Sequence, residues 1–378
     1  MAKSTDDLLK DLDDVPSEDH LIADYWELRC LISSEGIYTG SELAAAIQRR
    51  RELGRAGAAG ARVAVRRVAG PGSQLSELLG ASIDVGEEPL EGDQVAREAL
   101  KQESPDAAAP VAEVDTTPDE VVGRIGEIWS LIQRRARAFD DDYPFELEED
   151  RILALPNGAL RASQELYLYL LVTSSYRFLA RAQDRTRTTT SFERLAPAVL
   201  KKYFGSRLQV HVFRTGAKQR SRYRGDLRES IERLSADTKL ETTKRWDQHK
   251  QELSPGGDRG LDVVGWIPFD ASDPEDLRLV LFGQCATGKN WQRKQLEASK
   301  PYWERSLDFS NPLTLVFLIS FSWRDAGGRW PQTLKLASAN IVFDRERIVK
   351  LLSSESRISD VPISLARDFR GLNDAELS

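Results

Sequence analysis

Two apolar segments set the terms for this chain. One is Gly260-Leu261-Asp262-Val263-Val264; the other runs Leu279-Val280-Leu281-Phe282-Gly283-Gln284-Cys285-Ala286 and continues through Thr287-Gly288-Lys289-Asn290 to Trp291. Short apolar runs of this kind, rich in β-branched residues, read as buried strands. Residues at the ends of such strands are brought to one edge of a sheet, and two readings of that edge compete. Gly283 to Lys289 spells G-x-x-x-x-G-K between a strand and a helix, the outline of a loop that cradles phosphates. Alternatively, Asp262 and the turn from Gln284 to Lys289 sit on adjacent strands and supply oxygen ligands to a divalent cation.

The residues around the loop decide against the cradle. Such a loop follows its lysine with Ser or Thr, whose hydroxyl holds magnesium; here that position is Asn290. The next apolar strand, Val316 to Trp323, ends in Ser322 and Trp323 where an acid is required, and Asp325 comes two residues later.

Composition narrows the class further. The 378 residues are 40% hydrophobic and 30% charged, which predicts a folded chain of more than one domain with no membrane partner. The longest apolar run, Leu166 to Leu179, is interrupted by Ser174, Ser175 and Arg177 and is too short to span a bilayer. The start Met-Ala-Lys-Ser-Thr-Asp-Asp lacks the apolar core of a secretion signal, so the expected location is the cytoplasm. Two cysteines and three scattered histidines argue against a disulfide scaffold or a zinc cluster. The net charge of −7 is unevenly spread. Residues 1–150 carry about −17 and residues 186–300 about +7, and a basic segment around the candidate site suits a phosphate backbone.

Along the chain, residues 1–116 read as an acidic region with short helices (23–31, and 39–53 capped by Ser41) and a flexible linker over 84–118. Residues 117–186 read as a helical scaffold, with one helix opening at Thr117-Pro118-Asp119-Glu120 and an apolar one over Gln164 to Ala182. From 187 to 378 helices and strands alternate: a helix over 191–204, a strand over 208–213, two polar helices over 223–235 and 239–253, and strands over 261–269 and 277–285. A helix over 291–307, strands over 313–323 and 338–343 and a helix over 345–352 complete the order. This order predicts an α/β layer with a mixed sheet.

On the helix opening Ser191-Phe192-Glu193, on Gly260-Leu261-Asp262 and on Gly283-Gln284-Cys285, residues 188–355 resemble the PD-(D/E)xK nuclease superfamily, in particular its Mrr-related, restriction-like branch. The resemblance implies an α/β (α+β) chain, with a helical N-terminal region followed by a restriction-endonuclease-like domain built on a mixed central sheet. It further implies Asp262 as metal-binding aspartate, Gln284 in the second acidic position, Glu193 as an additional acid, and Mg2+ or Mn2+ as cofactor. The family's lysine falls two residues after the second acidic position, where this chain has Ala286; Lys289 is the nearest substitute. The implied activity is metal-dependent DNA cleavage in a bacterial anti-phage or restriction-type system, with a helicase or ATPase subunit or a second copy as partner. A catalytically inactive, nucleic-acid-binding subunit on the same fold is the alternative. Arg220, Arg222 and Arg224, interleaved with Tyr223, together with Arg293 and Lys294, are the expected phosphate contacts. The acidic N-terminal half is expected to dock a partner or to cover the basic face.

Overall fold

The computed structural model describes residues 9–12, 14–50, 52, 118–155, 160–214, 222–253, 259–268, 279–288, 291–295, 297–298, 300–309, 313–330 and 340–355. The expected linker over 84–117, the Thr117 cap, Arg220 and Lys289 lie outside them, as does the side chain of Arg293. The architecture is mixed α/β, with one five-stranded and one three-stranded sheet. The described helices are α1 (Asp19–Ile32), α2 (Pro118–Phe139), α3 (Ala162–Ser174), α4 (Ala182–Phe204), α5 (Leu227–Thr238), α6 (Trp246–Glu252), α7 (Trp291–Lys294), α8 (Lys300–Trp303) and α9 (Arg345–Leu352), together with a helix over 40–50. The strands are β1 (Ile37–Thr39), β2 (Phe145–Glu148), β3 (Arg151–Ala154), β4 (Gln209–Val212), β5 (Val263–Ile267), β6 (Leu279–Ala286), β7 (Leu313–Ile319) and β8 (Asn340–Phe343).

The large sheet runs in the order β4-β5-β6-β7-β8. Its first three strands form an antiparallel meander, and β6, β7 and β8 are parallel. Alternation along the strands sorts side chains onto two faces. Val263, Leu281, Val316 and Leu318 join the larger core with α3, α4 and α9. Val264, Trp266, Val280 and Phe282 join a second core with Leu227, Ile231 and Leu234 of α5 and with Trp303. Both faces are therefore covered, which is why β6 reads as an unbroken apolar run. Each large side chain that is fully buried here contributes about 1.5–3 kcal/mol.

Several expectations are corrected. The acidic stretch after α2 forms the hairpin β2–β3, which pairs with β1, so residues 117–185 are not wholly helical; Glu149, at φ 45°, makes the turn. The apolar helix expected to reach Ala182 stops at Ser174, whose hydroxyl donates to the Leu171 carbonyl and to Asp24; such local bonds compete with helix continuation. A helix resumes at Ala182, nine residues before the expected start at Ser191. The cap of the helix over 40–50 is Thr39 and not Ser41. Its hydroxyl accepts from Glu42 N at 3.2 Å while the Glu42 carboxylate accepts from Thr39 N at 2.8 Å, a reciprocal pair that satisfies two end donors. The helix expected over 291–307 is split into α7 and α8, because Pro301 cannot continue a helix from the preceding turn.

The acidic N-terminal region is not a detached appendage. Asp24 and Glu27 of α1 are buried against two arginines from distant parts of the chain. Arg345, fully buried at the start of α9, donates to Asp24 at 2.7 Å, to Ser174 Oγ at 2.8 Å and to the Ser320 carbonyl at 2.9 Å. Arg135 of α2 pairs with Asp24 at 2.8 Å and Glu27 at 3.0 Å. The Tyr143 and Tyr167 hydroxyls donate to Glu27 at 2.8–2.9 Å. Two carboxylates thus balance two guanidinium groups, and α1 is bolted to the end of the large sheet. Among the described residues, no helix is long and apolar enough to cross a membrane.

Candidate active site

The ladder between β5 and β6 ends at the pair Val263↔Gly283. One residue earlier the register breaks: Asp262 and Val263 both face Gly283, as in a bulge, and the Asp262 carboxylate lies beside Cys285 of β6. Asp262 is fixed by its own backbone: its N–H donates to the Gly283 carbonyl at 3.0 Å and its carbonyl accepts from Phe213 N at 2.8 Å. β6 continues past this point, and the Cys285 N–H, left without a main-chain partner on β5, donates to Asp262 Oδ2 at 2.6 Å. That charge-assisted bond orients the carboxylate at the sheet end.

Gln284 is buried, and its Nε2 lies 3.4 Å from Glu297 Oε2. Glu297, in the turn after α7, is a neighbour that the spacing of the sequence did not reveal. It packs so closely against Gly260 that a Cβ there would collide with the Glu297 Cβ and come within 3.0 Å of Gln284 Nε2. Gly260 also sits at φ +71°, so glycine is required twice over, by backbone and by space. Glu193 is half-buried on α4, the helix whose core residues pack with Cys285. Burial pushes the Cys285 thiol well up, and the Asp262 and Glu193 carboxylates add to that shift. Cys285 is therefore a neutral thiol flanked by the two acids.

The phosphate-cradle reading fails on this geometry. Gly283 to Ala286 are not a loop: they are strand residues paired to β7 through Gly283↔Val316, Gln284↔Phe317, Cys285↔Leu318 and Ala286↔Ile319. Gly283 is glycine because a Cβ would collide with Val263 Cγ1 and meet Val316 Cγ2 at 2.8 Å. Ala286, in the place of the family's lysine, is packed with Trp291, Phe317 and Ile319, where an ammonium group would be buried unpaired.

Among the expected phosphate contacts, Arg222 is bound by the Asp237 carboxylate, which also accepts from Tyr223 Oη at 2.9 Å. That interaction raises the Arg222 guanidinium further above its usual range and holds Asp237 below the usual carboxylate range, although burial opposes the latter shift. Arg224 and Lys294 are exposed. Among the described residues, no three of His, Cys, Asp and Glu are grouped so as to hold a metal ion by themselves. The hard-oxygen donors near the sheet end fall in two sets, the Asp262 carboxylate beside Cys285 and the Gln284 amide beside Glu297. Magnesium held by one or two carboxylates, with water completing its shell, needs no more. No family model, curated protein or solved structure matches the chain.

Proposed function

We propose that the chain is a metal-dependent DNA endonuclease whose site is the sheet end formed by Asp262 and Gln284, with Glu193 alongside. The observation that supports the reading is the Asp262 carboxylate held where β5 and β6 part by the Cys285 N–H, with Gln284 the preceding residue of β6. It occurs within the order α4-β4-(α5, α6)-β5-β6-crossover-β7 that the resemblance implies. Asp262, with Gln284 or Glu297, holds Mg2+ or Mn2+, and Lys289 takes the part of the displaced lysine. A cation held there would supply a lowered water pKa and positive charge for the phosphoryl oxygens. The chain's own contribution is the rigid placement of Asp262 and the neutral, buried flank at Cys285. The resemblance to restriction-like enzymes extends the proposal to a cytoplasmic bacterial defence subunit acting with a helicase or ATPase partner or a second copy.

A binding-only subunit is the second reading, favoured by one observation: the lysine position is filled by buried Ala286. Plasmid cleavage in magnesium separates the two. The nuclease reading expects nicked or linear product from wild type and a loss of at least about 100-fold in Asp262→Ala, since even the neighbours of metal ligands cost about 10–100-fold. Binding of DNA without cleavage by either protein would favour the second reading.

A further inference from the structure

The insertion between β4 and β5 forms a second feature that the site above does not use. Its helix α6 leans on the segment after α8. Thr243 Oγ1 donates to the Arg305 carbonyl at 2.9 Å, Thr243 N to the Ser306 carbonyl at 3.1 Å, and Thr242 bridges Leu307. Between these walls lies an open cleft of about 570 Å3 lined by three cations, Lys244, Arg245 and Arg305, and two acids, Glu252 and Glu304, with Thr243, Gln248 and His249. The volume is that of a small-molecule or single-strand site.

Several cations of the insertion are already paired. Elsewhere on the insertion Arg222 pairs with Asp237, Arg233 with Glu229 and Lys250 with Asp247. Lys244, Arg245 and Arg305 are exposed, and none has an ion-pair partner among the described residues. His249 lines the same cleft with a buried Nε2 that makes no hydrogen bond. Arg259 ties the cleft to the sheet end. It donates to Ser306 Oγ at 2.9 Å, stacks over Trp303 at 5.5 Å, and immediately precedes Gly260-Leu261-Asp262. From Arg259 to Asp262 the chain spans at most roughly 10 Å.

We propose that this cleft, and not the segment around Arg220 to Arg224, grips the phosphate backbone of a nucleic-acid strand through Lys244, Arg245 and Arg305. The assignment rests on the nuclease reading for the identity of the polyanion, and its test is independent of catalysis. In EDTA, fluorescence anisotropy of a labelled twenty-nucleotide single strand is compared for wild type, the triple variant Lys244→Ala/Arg245→Ala/Arg305→Ala, the charge-keeping Arg245→Lys/Arg305→Lys, and Asp262→Ala. The triple variant is expected to bind at least about tenfold more weakly. Its dependence of log K on log salt should flatten by about 2, as three lost contacts at about 0.7 each imply. The charge-keeping variant should stay within about twofold of wild type and Asp262→Ala, which loses a negative charge, should bind no more weakly, with thermal midpoints confirming that every variant is folded. Wild-type affinity in the triple variant, or no binding by wild type, overturns the proposal. Saturable binding of ATP lost in the triple variant, with no oligonucleotide binding, overturns it in favour of a mononucleotide. If the cleft variants behave as expected while wild type cleaves nothing in magnesium, the cleft stands and the nuclease reading falls.

Discussion

Replacing Arg345 with methionine is expected to cost about 3–5 kcal/mol of folding stability, the effect of leaving a buried carboxylate without its partner. Arg345 is fully buried and serves α1, α3 and the end of β7 at once through Asp24, Ser174 and the Ser320 carbonyl. Its removal leaves two carboxylates facing Arg135 alone. Pairing it with Asp24→Asn restores the charge balance, and the double variant should recover part of the loss. Urea denaturation followed by tryptophan fluorescence measures both differences. A loss below about 1 kcal/mol for Arg345→Met would mean that the cluster does not join α1 to the sheet. The same cluster changes how the acidic N-terminal region is to be probed. Deleting residues 1–116 removes Asp24, Glu27 and the buried Trp26, so such a truncation unfolds the core instead of uncovering a basic face.

The second large effect concerns pH. Burial lowers His20 from 6.5 to about 4 against an opposing pull from Asp24, and Arg135 and Arg345 each add a smaller push in the direction of burial. Glu18 is 3.6 Å from His20 Nε2 but is itself part-exposed, and burial followed by the nearby Asp19 raises its carboxyl. The folded protein thus keeps His20 neutral where the unfolded chain takes up a proton. Stability should fall as pH drops through 6.5 and level off near 4, by on the order of 3 kcal/mol in all. Asp24 contributes in a lower window. Burial opposes its ionisation, yet Arg345 and Arg135 hold its carboxyl below the usual range. Its contribution is therefore present above about pH 4 and is lost only as pH falls through the depressed value. His211 and His249, also lowered chiefly by burial, add smaller slopes in the same direction as His20. In His20→Leu most of the slope between pH 6.5 and 4 should disappear; an unchanged slope would show that His20 is not the group held neutral.

Much of the large sheet was legible because its strands are short apolar runs bounded by turns. The adjacency of β5 and β6, which brings Asp262 beside the end of β6, followed from two such runs lying close in sequence. The hairpin β2–β3 was not legible: its alternation, Phe145-Glu-Leu-Glu against Arg151-Ile-Leu-Ala, lies within an acidic stretch whose charge dominates the composition. Glu297 was missed for a different reason. It is brought to Gln284 by the break between α7 and α8, and no linear spacing encodes that turn. Arg222 and Arg224 attracted attention as a basic, aromatic-interleaved string, whereas the unpaired cations at the cleft come from separate segments, 244–245 and 305. Charge in a sequence does not reveal which cations already have partners.

The most direct test of the account is where a divalent cation binds. Crystals of the wild-type protein soaked in Mn2+ should give an anomalous peak bonded to the Asp262 carboxylate, with Gln284 or Glu297 beside it, and the peak should be absent from Asp262→Ala crystals. Manganese bound only elsewhere, with no peak at Asp262, would contradict a metal-dependent site at this sheet end.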